Sequence, residues 1–403
     1  MEFEFVDTSR SAKIKVIGIG GAGNNAIDNM IISGLEGVDF VAANTDLQDL
    51  ENTRAPIKLQ LGVELTRGLG CGADPEIGRE AALEDEDKIQ ELLADSDMVF
   101  ITAGMGGGTG TGGAPVVAEA LKKLDNPPLL VGVVTKPFDF EGPRRMRQAL
   151  DGIERLKEHA DTIITIPNNR LLVMAPRGSK ISAAFKMADD ILLQAVKGIS
   201  DLILLPGLIN LDFKDVRTVM LKKGQALMGT GLASGPDRAT AAAQAAISSP
   251  LLEDVSPEGA QGILINITTA EGEVTLEEVN EACSLVQKEA DPDATIIFGV
   301  AWDNNLGEDF RMTVIATGIG EKHKAKTVRE EEPQRVPSFE EVARRPKHWD
   351  LPPRERQERE GPRRLKDFDP PRYSAKYENK YENFKFHGEE DLETPTFMRI
   401  NRD

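Results

Sequence analysis

Between Lys13 and about Ile166, short runs of aliphatic and β-branched residues alternate with longer stretches whose apolar positions recur at helical spacing. That alternation predicts a doubly wound parallel sheet, an α/β fold. The runs at 13–20, 38–43, 98–104, 129–135 and 161–166 are the expected strands. Several are apolar throughout, as strands covered on both faces must be. Helices are expected at about 24–33, 76–94, 111–124 and 143–159. The second and fourth open at or beside a proline, which suits a first helical turn, where an N–H has no intrahelical partner to lose. Gly34 is placed to close the first helix.

A long helical run at about 182–205 ends at Pro206-Gly207 and reads as a central helix between two domains. The block after it offers helices at 213–222 and 237–248, a small-residue segment at 224–235, and strands at 262–270, 294–303 and 310–318. It reads as a smaller α+β domain. After Gly320 the chain becomes rich in Lys, Arg, Glu and Pro with few aliphatics, too few to offset the entropy of ordering, so a disordered linker is expected, with weak helical tendency near 338–345. The last residues regain an apolar cluster, Leu392, Pro395, Phe397 and Met398, which suggests a short docking peptide. The expected segments are therefore 12–180, 181–206, 207–320, 321–388 and 389–403.

Charge narrows the partners. Residues 1–320 carry 28 Lys and Arg against 48 Asp and Glu, so a general nucleic-acid binder is not expected, because phosphate backbones would be repelled. Residues 321–388 reverse the sign, with 18 basic against 14 acidic side chains. The two cysteines, Cys71 and Cys283, lie far apart without metal-ligand spacing, which argues against a disulfide framework or a zinc site. The start, MEFEFVDTSR, is acidic without an apolar core, and the longest apolar stretches, such as 191–209, are interrupted by Lys197, Ser200, Asp201 and Pro206, so neither a signal peptide nor a membrane span is expected. The expected location is cytoplasmic.

An anion site in so acidic a chain must come from backbone amides. The first strand runs into Gly18-Ile19-Gly20-Gly21-Ala22-Gly23, which fits GxGxxG, and alone it would suit a dinucleotide, with Asp46 as the ribose acid. A second loop, Gly104 to Gly113, follows the strand at 98–104, again before a helix. Two such loops on one sheet can surround a polyphosphate with N–H groups and helix dipoles. GxxxxGK[ST] is absent, so this is not a P-loop. A third loop, Gly68 to Pro75, is placed to close over a terminal phosphate with Gly72 and Ala73, and Cys71 there reads as a small buried residue.

These residues together resemble the FtsZ/tubulin family of GTPases. The resemblance rests on Gly20-Gly21-Ala22-Gly23-Asn24-Asn25, Asn44-Thr45-Asp46, Gly106-Gly107-Gly108-Thr109-Gly110-Thr111-Gly112, Phe140-Glu141-Gly142 with Arg145, and Asn210-Leu211-Asp212-Phe213-Lys214-Asp215, in order, over about residues 12–320. It implies GTP as substrate with Mg²⁺. Glu141 and Arg145 would hold the ribose and phosphates. Asn168 and Asp189 would read the base, with Phe185 against its face; a carboxylate accepts from guanine N1–H and the exocyclic amine, a pattern adenine lacks.

Asp212 and Asp215 can be read simply as acids at a helix start. The resemblance implies more: this loop enters the nucleotide site of a neighbouring subunit, where Asp212 and Asp215 polarise water and Asn210 meets the phosphate end. Such a contact is head-to-tail and gives open filaments, a cell-division polymer concentrated at mid-cell. The terminal peptide resembles the family's docking site for membrane tethers such as the actin-like FtsA, although Thr394 and Met398 stand where aliphatics are usual. Two rival readings are a nicotinamide dehydrogenase, disfavoured by the second glycine loop, and a GTP-binding homologue without hydrolysis, disfavoured by the Asp212/Asp215 pair.

Overall fold

The computed structural model describes residues 12–319 apart from 177, 206, 223 and 253–259; the expected linker and terminal peptide lie outside the described residues. In chain order the first half comprises β1 (Ile14–Ile19), α1 (Gly20–Ile32), β2 (Val38–Asn44), α2 (Leu47–Asn52), β3 (Ile57–Gln60), α3 (Val63–Thr66), α4 (Pro75–Glu84), α5 (Glu86–Leu93), β4 (Met98–Gly104), α6 (Thr109–Lys122), β5 (Leu129–Lys136), α7 (Pro143–Lys157), β6 (Thr162–Pro167) and α8 (Asn168–Met174). The central α9 (Ile181–Leu204) follows. The second half comprises β7 (Gly207–Ile209), α10 (Phe213–Met220), β8 (Gln225–Ala233), α11 (Arg238–Ile247), β9 (Gly262–Thr269), α12 (Leu276–Glu289), β10 (Thr295–Trp302) and β11 (Phe310–Ile319).

The first six strands are all parallel, in the order 3-2-1-4-5-6. Side chains alternate between two cores. Ile14 and Val16 of β1 with Met98 and Phe100 of β4 meet α1 and α9, while Ile17, Ile19, Val99 and Ile101 meet α4, α5, α6 and α7. Burial on both faces is why these strands read as unbroken apolar runs. Each large aliphatic side chain buried this way contributes about 1.5–3 kcal/mol. The α+β half has its own core under α11 and α12, yet the two halves share one eleven-stranded sheet. The join is narrow: β8 pairs with β6 through Ile163–Gln225 and Ile164–Ala226.

Helix ends follow local chemistry. Asp74 caps α4 by accepting from the Glu76 N–H, with Pro75 in the first turn, and Gly34, at φ 70°, closes α1 by donating to the Ile31 carbonyl. The stretch expected as one helix over 76–94 is two, broken at Asp85. The reason is tertiary: the Asp85 carboxylate, 3% exposed, turns inward to accept from the Gly62 N–H at 2.8 Å. The first and third helices begin earlier than periodicity suggests, at Gly20 and Thr109, because the glycines themselves form the opening turns.

In the second half one buried cation ties four elements. Arg238, 8% exposed, donates to both Glu278 oxygens (2.6 and 3.4 Å) and to the Glu308 and Glu273 carbonyls. Arg238→Ala removes the cation facing Glu278, whose other donor is Thr275, and the donor to two carbonyls. We expect it to cost about 3 kcal/mol and to lower Tm by roughly 6–10 °C in a thermal melt.

Candidate functional site

In an open parallel sheet of this strand order, ligands bind beyond the carboxyl ends of the strands where the order reverses, here between β1 and β4. Both glycine loops end there. Their glycines divide into two kinds. A Cβ on Gly112 would lie 2.0 Å from the Pro75 carbonyl, and one on Gly78 would lie 2.4 Å from the Gly108 carbonyl, so these glycines let α4 and α6 pack backbone to backbone. Gly107 has nothing within 4 Å of a Cβ position, and Gly21 meets only Asp49. Gly107 therefore faces open space at the start of α6, and Gly21, at the start of α1, is approached only by the Asp49 carboxylate; at both helix starts unpaired N–H groups and the helix dipoles favour an anion.

The third loop sits beside them. Cys71, Gly72, Ala73 and Asp74 form a tight turn, with the Asp74 N–H donating to the Cys71 carbonyl at 3.0 Å. Both central residues are left-handed (φ 57° and 62°) and exposed. For Ala73 that conformation costs on the order of 1 kcal/mol, strain that marks functional loops. Side chains lock the loops together. The Cys71 thiol, buried as expected, donates to the Thr45 hydroxyl at 3.2 Å, and Thr45 shares a 2.7 Å hydrogen bond with Thr109. The Thr111 hydroxyl accepts from the Gly106 N–H at 2.8 Å. The hydroxyls of Thr109 and Thr111, both expected at the ligand, are thus engaged in shaping the loops. Asp46 likewise caps α2 by accepting from the Gln48 and Asp49 N–H groups.

Next to the first two loops lies a cleft that gathers Ala22, Glu141, Arg145, Asn168, Phe185 and Asp189, all expected at the site, with Gly104, Met105, Thr135, Pro137, Ala188 and Leu192. One Glu141 oxygen accepts from the Phe138 N–H at 2.8 Å while the other faces Arg145 at 3.2 Å. Asn169, which the sequence did not single out, clamps the same loop by accepting from the Asp139 N–H and donating to its carboxylate. Phe138, fully buried, stacks on Phe140 and meets the half-exposed Phe185 edge-on, with ring centroids 4.9 and 5.3 Å apart. Burial, with Asp190 next to it, pushes the Asp189 carboxyl up to about 7.

Two buried acceptors near these loops have no partner: Asn24 Oδ1, on a residue 2% exposed in α1, and Asn168 Oδ1, on a residue 5% exposed in the cleft. An orphaned buried acceptor costs about 1–3 kcal/mol, which a bound donor would relieve. A carboxylate and an amide beside an aromatic ring fit a purine base that presents N–H donors. Among the described residues no group of three or more His, Cys, Asp or Glu side chains could hold a metal ion.

Asp212, Asp215 and Asn210 lie elsewhere in the same chain. Asp212 caps α10, accepting from the Asp215 N–H at 2.9 Å, and Asn210 accepts from the Gly207 N–H at 2.8 Å. All three are exposed. Helix α9 runs from the cleft to the opposite edge of the sheet: Asp189 and Leu204 are fifteen residues apart, about 22 Å. Leu204 reaches Gly37, just before β2, and the Met220 carbonyl at the end of α10 accepts from Thr162, the first residue of β6. Leu202 and Leu211 both crowd Gly299. The acidic loop thus belongs to the amino-terminal edge of the strands and the glycine loops to the carboxyl-terminal edge.

The chain matches the model of the Tubulin/FtsZ family GTPase domain over residues 13–176 and that of the FtsZ family C-terminal domain over 224–320. A cell division protein FtsZ from Azotobacter vinelandii is 52% identical over 319 residues, 79% of this chain and 80% of the relative. Its counterpart from Coxiella burnetii is 53% identical over 319 residues, 79% and 82% of the two chains. Among solved structures, an empty FtsZ dimer from M. jannaschii superposes with a TM-score of 0.74 at 48% identity, covering 78% of this chain and 90% of that one.

Proposed function

Because this chain belongs to the FtsZ family and is therefore a tubulin-like GTPase of cell division, we propose that its hydrolytic site is completed only between two subunits. The observation that carries this reading is the placement of the acidic loop and the glycine loops at opposite ends of the strands. A chain cannot bring Asp212 to its own cradle, but a second copy stacked head to tail can. That contact is heterologous and does not close on itself, so it propagates as a filament.

In this reading the N–H groups around Gly21, Ala22, Gly23, Gly107, Gly108 and Gly110 cradle the phosphates, and Gly72 and Ala73 close over the terminal one. Asn24 and Asn25 lie in the first turns of the helix behind the cradle. Glu141 and Arg145 hold the ribose side. Asn168 and Asp189 read guanine, and Phe185 covers it. Mg²⁺ bound to the nucleotide supplies charge neutralisation. Asp212 and Asp215 of the next subunit orient and polarise the attacking water, and Asn210 meets the phosphate end. Catalysis here is positioning plus electrostatics, since phosphoryl transfer asks little covalent chemistry of the protein. Loss of the terminal phosphate removes the contact that bridges the subunits, so turnover loosens the filament.

The M. jannaschii relative is described as a dimer, and self-assembly is the corresponding proposal for this chain. No helix among the described residues is long and apolar enough to cross a membrane. A cytoplasmic, mid-cell location and the docking of residues 389–403 to a tether such as FtsA are part of the same proposal, supported by the family resemblance; capture of FtsA by the full chain but not by one lacking those residues checks the latter. The mechanism itself is checked by phosphate release against protein concentration, with light scattering in parallel. We expect turnover and scattering to appear together above a threshold, with ATP inert. Turnover linear in protein from the lowest concentration would mean that each chain holds a whole site.

A further inference from the structure

Asp49 lies in the first turn of α2, but its carboxylate leans toward the phosphate cradle. Its Oδ2 lies 3.3 Å from the Cβ position of Gly21, and no other residue comes within 4 Å of that position. The carboxylate is held there by two amides, Asn44 Nδ2 at 2.6 Å and Asn24 Nδ2 at 3.5 Å. Asn24 is 2% exposed, and its own Oδ1 has no hydrogen-bond partner. One corner of the cradle therefore carries a negative charge, anchored on a buried amide, while the Gly21 N–H beside it suits an anion. A bare polyphosphate is repelled by such a corner, whereas a phosphate carrying a divalent cation is attracted to it.

We propose that Asp49, anchored by Asn44 and Asn24, makes this cradle selective for the cation-loaded nucleotide over the free one. The inference rests on the reading of the cradle as a polyphosphate site. Asp49 is a positioning and specificity residue here: it contributes a fixed charge that the cation must answer. Its role as a first-turn acid of α2 is compatible with this, because helix stabilisation by the carboxylate needs no particular orientation toward Gly21.

The test is equilibrium binding of a fluorescent GDP to the full chain, once with millimolar Mg²⁺ and once with EDTA; GDP keeps hydrolysis and assembly out of the readout. The wild-type protein should bind at least tenfold more weakly in EDTA. In Asp49→Asn, which keeps an oxygen for Asn44, the ratio should fall close to one because binding in EDTA tightens. Asp49→Ala should do the same, and thermal melts of both variants report whether they are folded. A wild-type ratio near one overturns the inference without any variant, as does an unchanged large ratio in both folded variants. Failure of the wild-type chain to bind GDP in either condition would overturn the polyphosphate reading itself, a result distinct from these two.

Discussion

Asp212→Asn should bind GTP as tightly as the wild-type chain, melt at the same temperature, and hydrolyse GTP roughly 10²–10⁴-fold more slowly. The choice of asparagine separates the two roles that this side chain can have. As a helix cap, Asn is about as good as Asp, so the 2.9 Å bond to the Asp215 N–H survives and α10 keeps its start. As the group that polarises water, an amide lacks the required charge. Asp212→Ala confounds the two by also losing about 1 kcal/mol of capping. Among the described residues the Asp215 carboxylate has no such structural partner, so Asp215→Ala should give the kinetic loss with little change in stability. Steady-state turnover, nucleotide binding and thermal melts on the three variants check this. Near-normal turnover in both Asp212→Asn and Asp215→Ala would remove these carboxylates from the chemistry.

The second large effect concerns the base. If the Asp189 carboxylate accepts both guanine N–H groups, Asp189→Ala should weaken GTP binding by about 10²- to 10⁴-fold, since hydrogen bonds to a charged partner contribute roughly 1.5–3 kcal/mol each. Discrimination against ATP should collapse with it. The pH profile carries the same information without mutation. Burial, reinforced by Asp190, places the Asp189 carboxyl at about 7 in the nucleotide-free protein. Binding through the carboxylate must then expel a proton below that value. GTP affinity should be flat above pH 7 and fall toward tenfold per unit below it. In Asp189→Ala this slope should vanish. Titrations between pH 5.5 and 8.5 in both proteins read it directly.

Much of the fold was legible because buried parallel strands are written as apolar runs; β1, β2, β4, β5 and β6 lie within a residue or two of their expected positions. The second half was harder to read. The small-residue segment at 224–235 was given no element yet contains β8, and the reason is packing: a Cβ on Gly229 or Gly231 would lie 2.0 or 1.9 Å from the carbonyls of Ala246 or Ala242. Glycine there admits a helix against the strand and hides its β pattern. Helix α12 was missed although its signal was present, a capping box in which Thr275 and Glu278 bond reciprocally. β3 and β7, of four and three residues, are too short to carry a period.

The candidate site shows the same division. Glu141, Arg145, Asn168 and Asp189, which line one cleft, were reached only through the resemblance to the FtsZ/tubulin family; without it Asp189 reads as an ordinary helix residue. The Cys71–Thr45–Thr109 chain of hydrogen bonds and the Asp49–Asn44–Asn24 corner were not reached, because each joins residues from separate loops that only the folded sheet brings together.

Mixing two inactive variants tests the shared site most directly. Asp212→Asn retains a working cradle and lacks the acidic loop. Gly107→Glu retains the acidic loop and should fold, since nothing lies within 4 Å of a Cβ at that position, while its carboxylate excludes the phosphates. Neither protein alone should release phosphate from GTP at an appreciable rate. Combined in equal amounts, they should regain turnover that rises with the product of their concentrations, because the loop of one completes the cradle of the other. A mixture that stays inactive, with Asp212→Asn shown to bind GTP and both proteins folded, would contradict a site built between subunits.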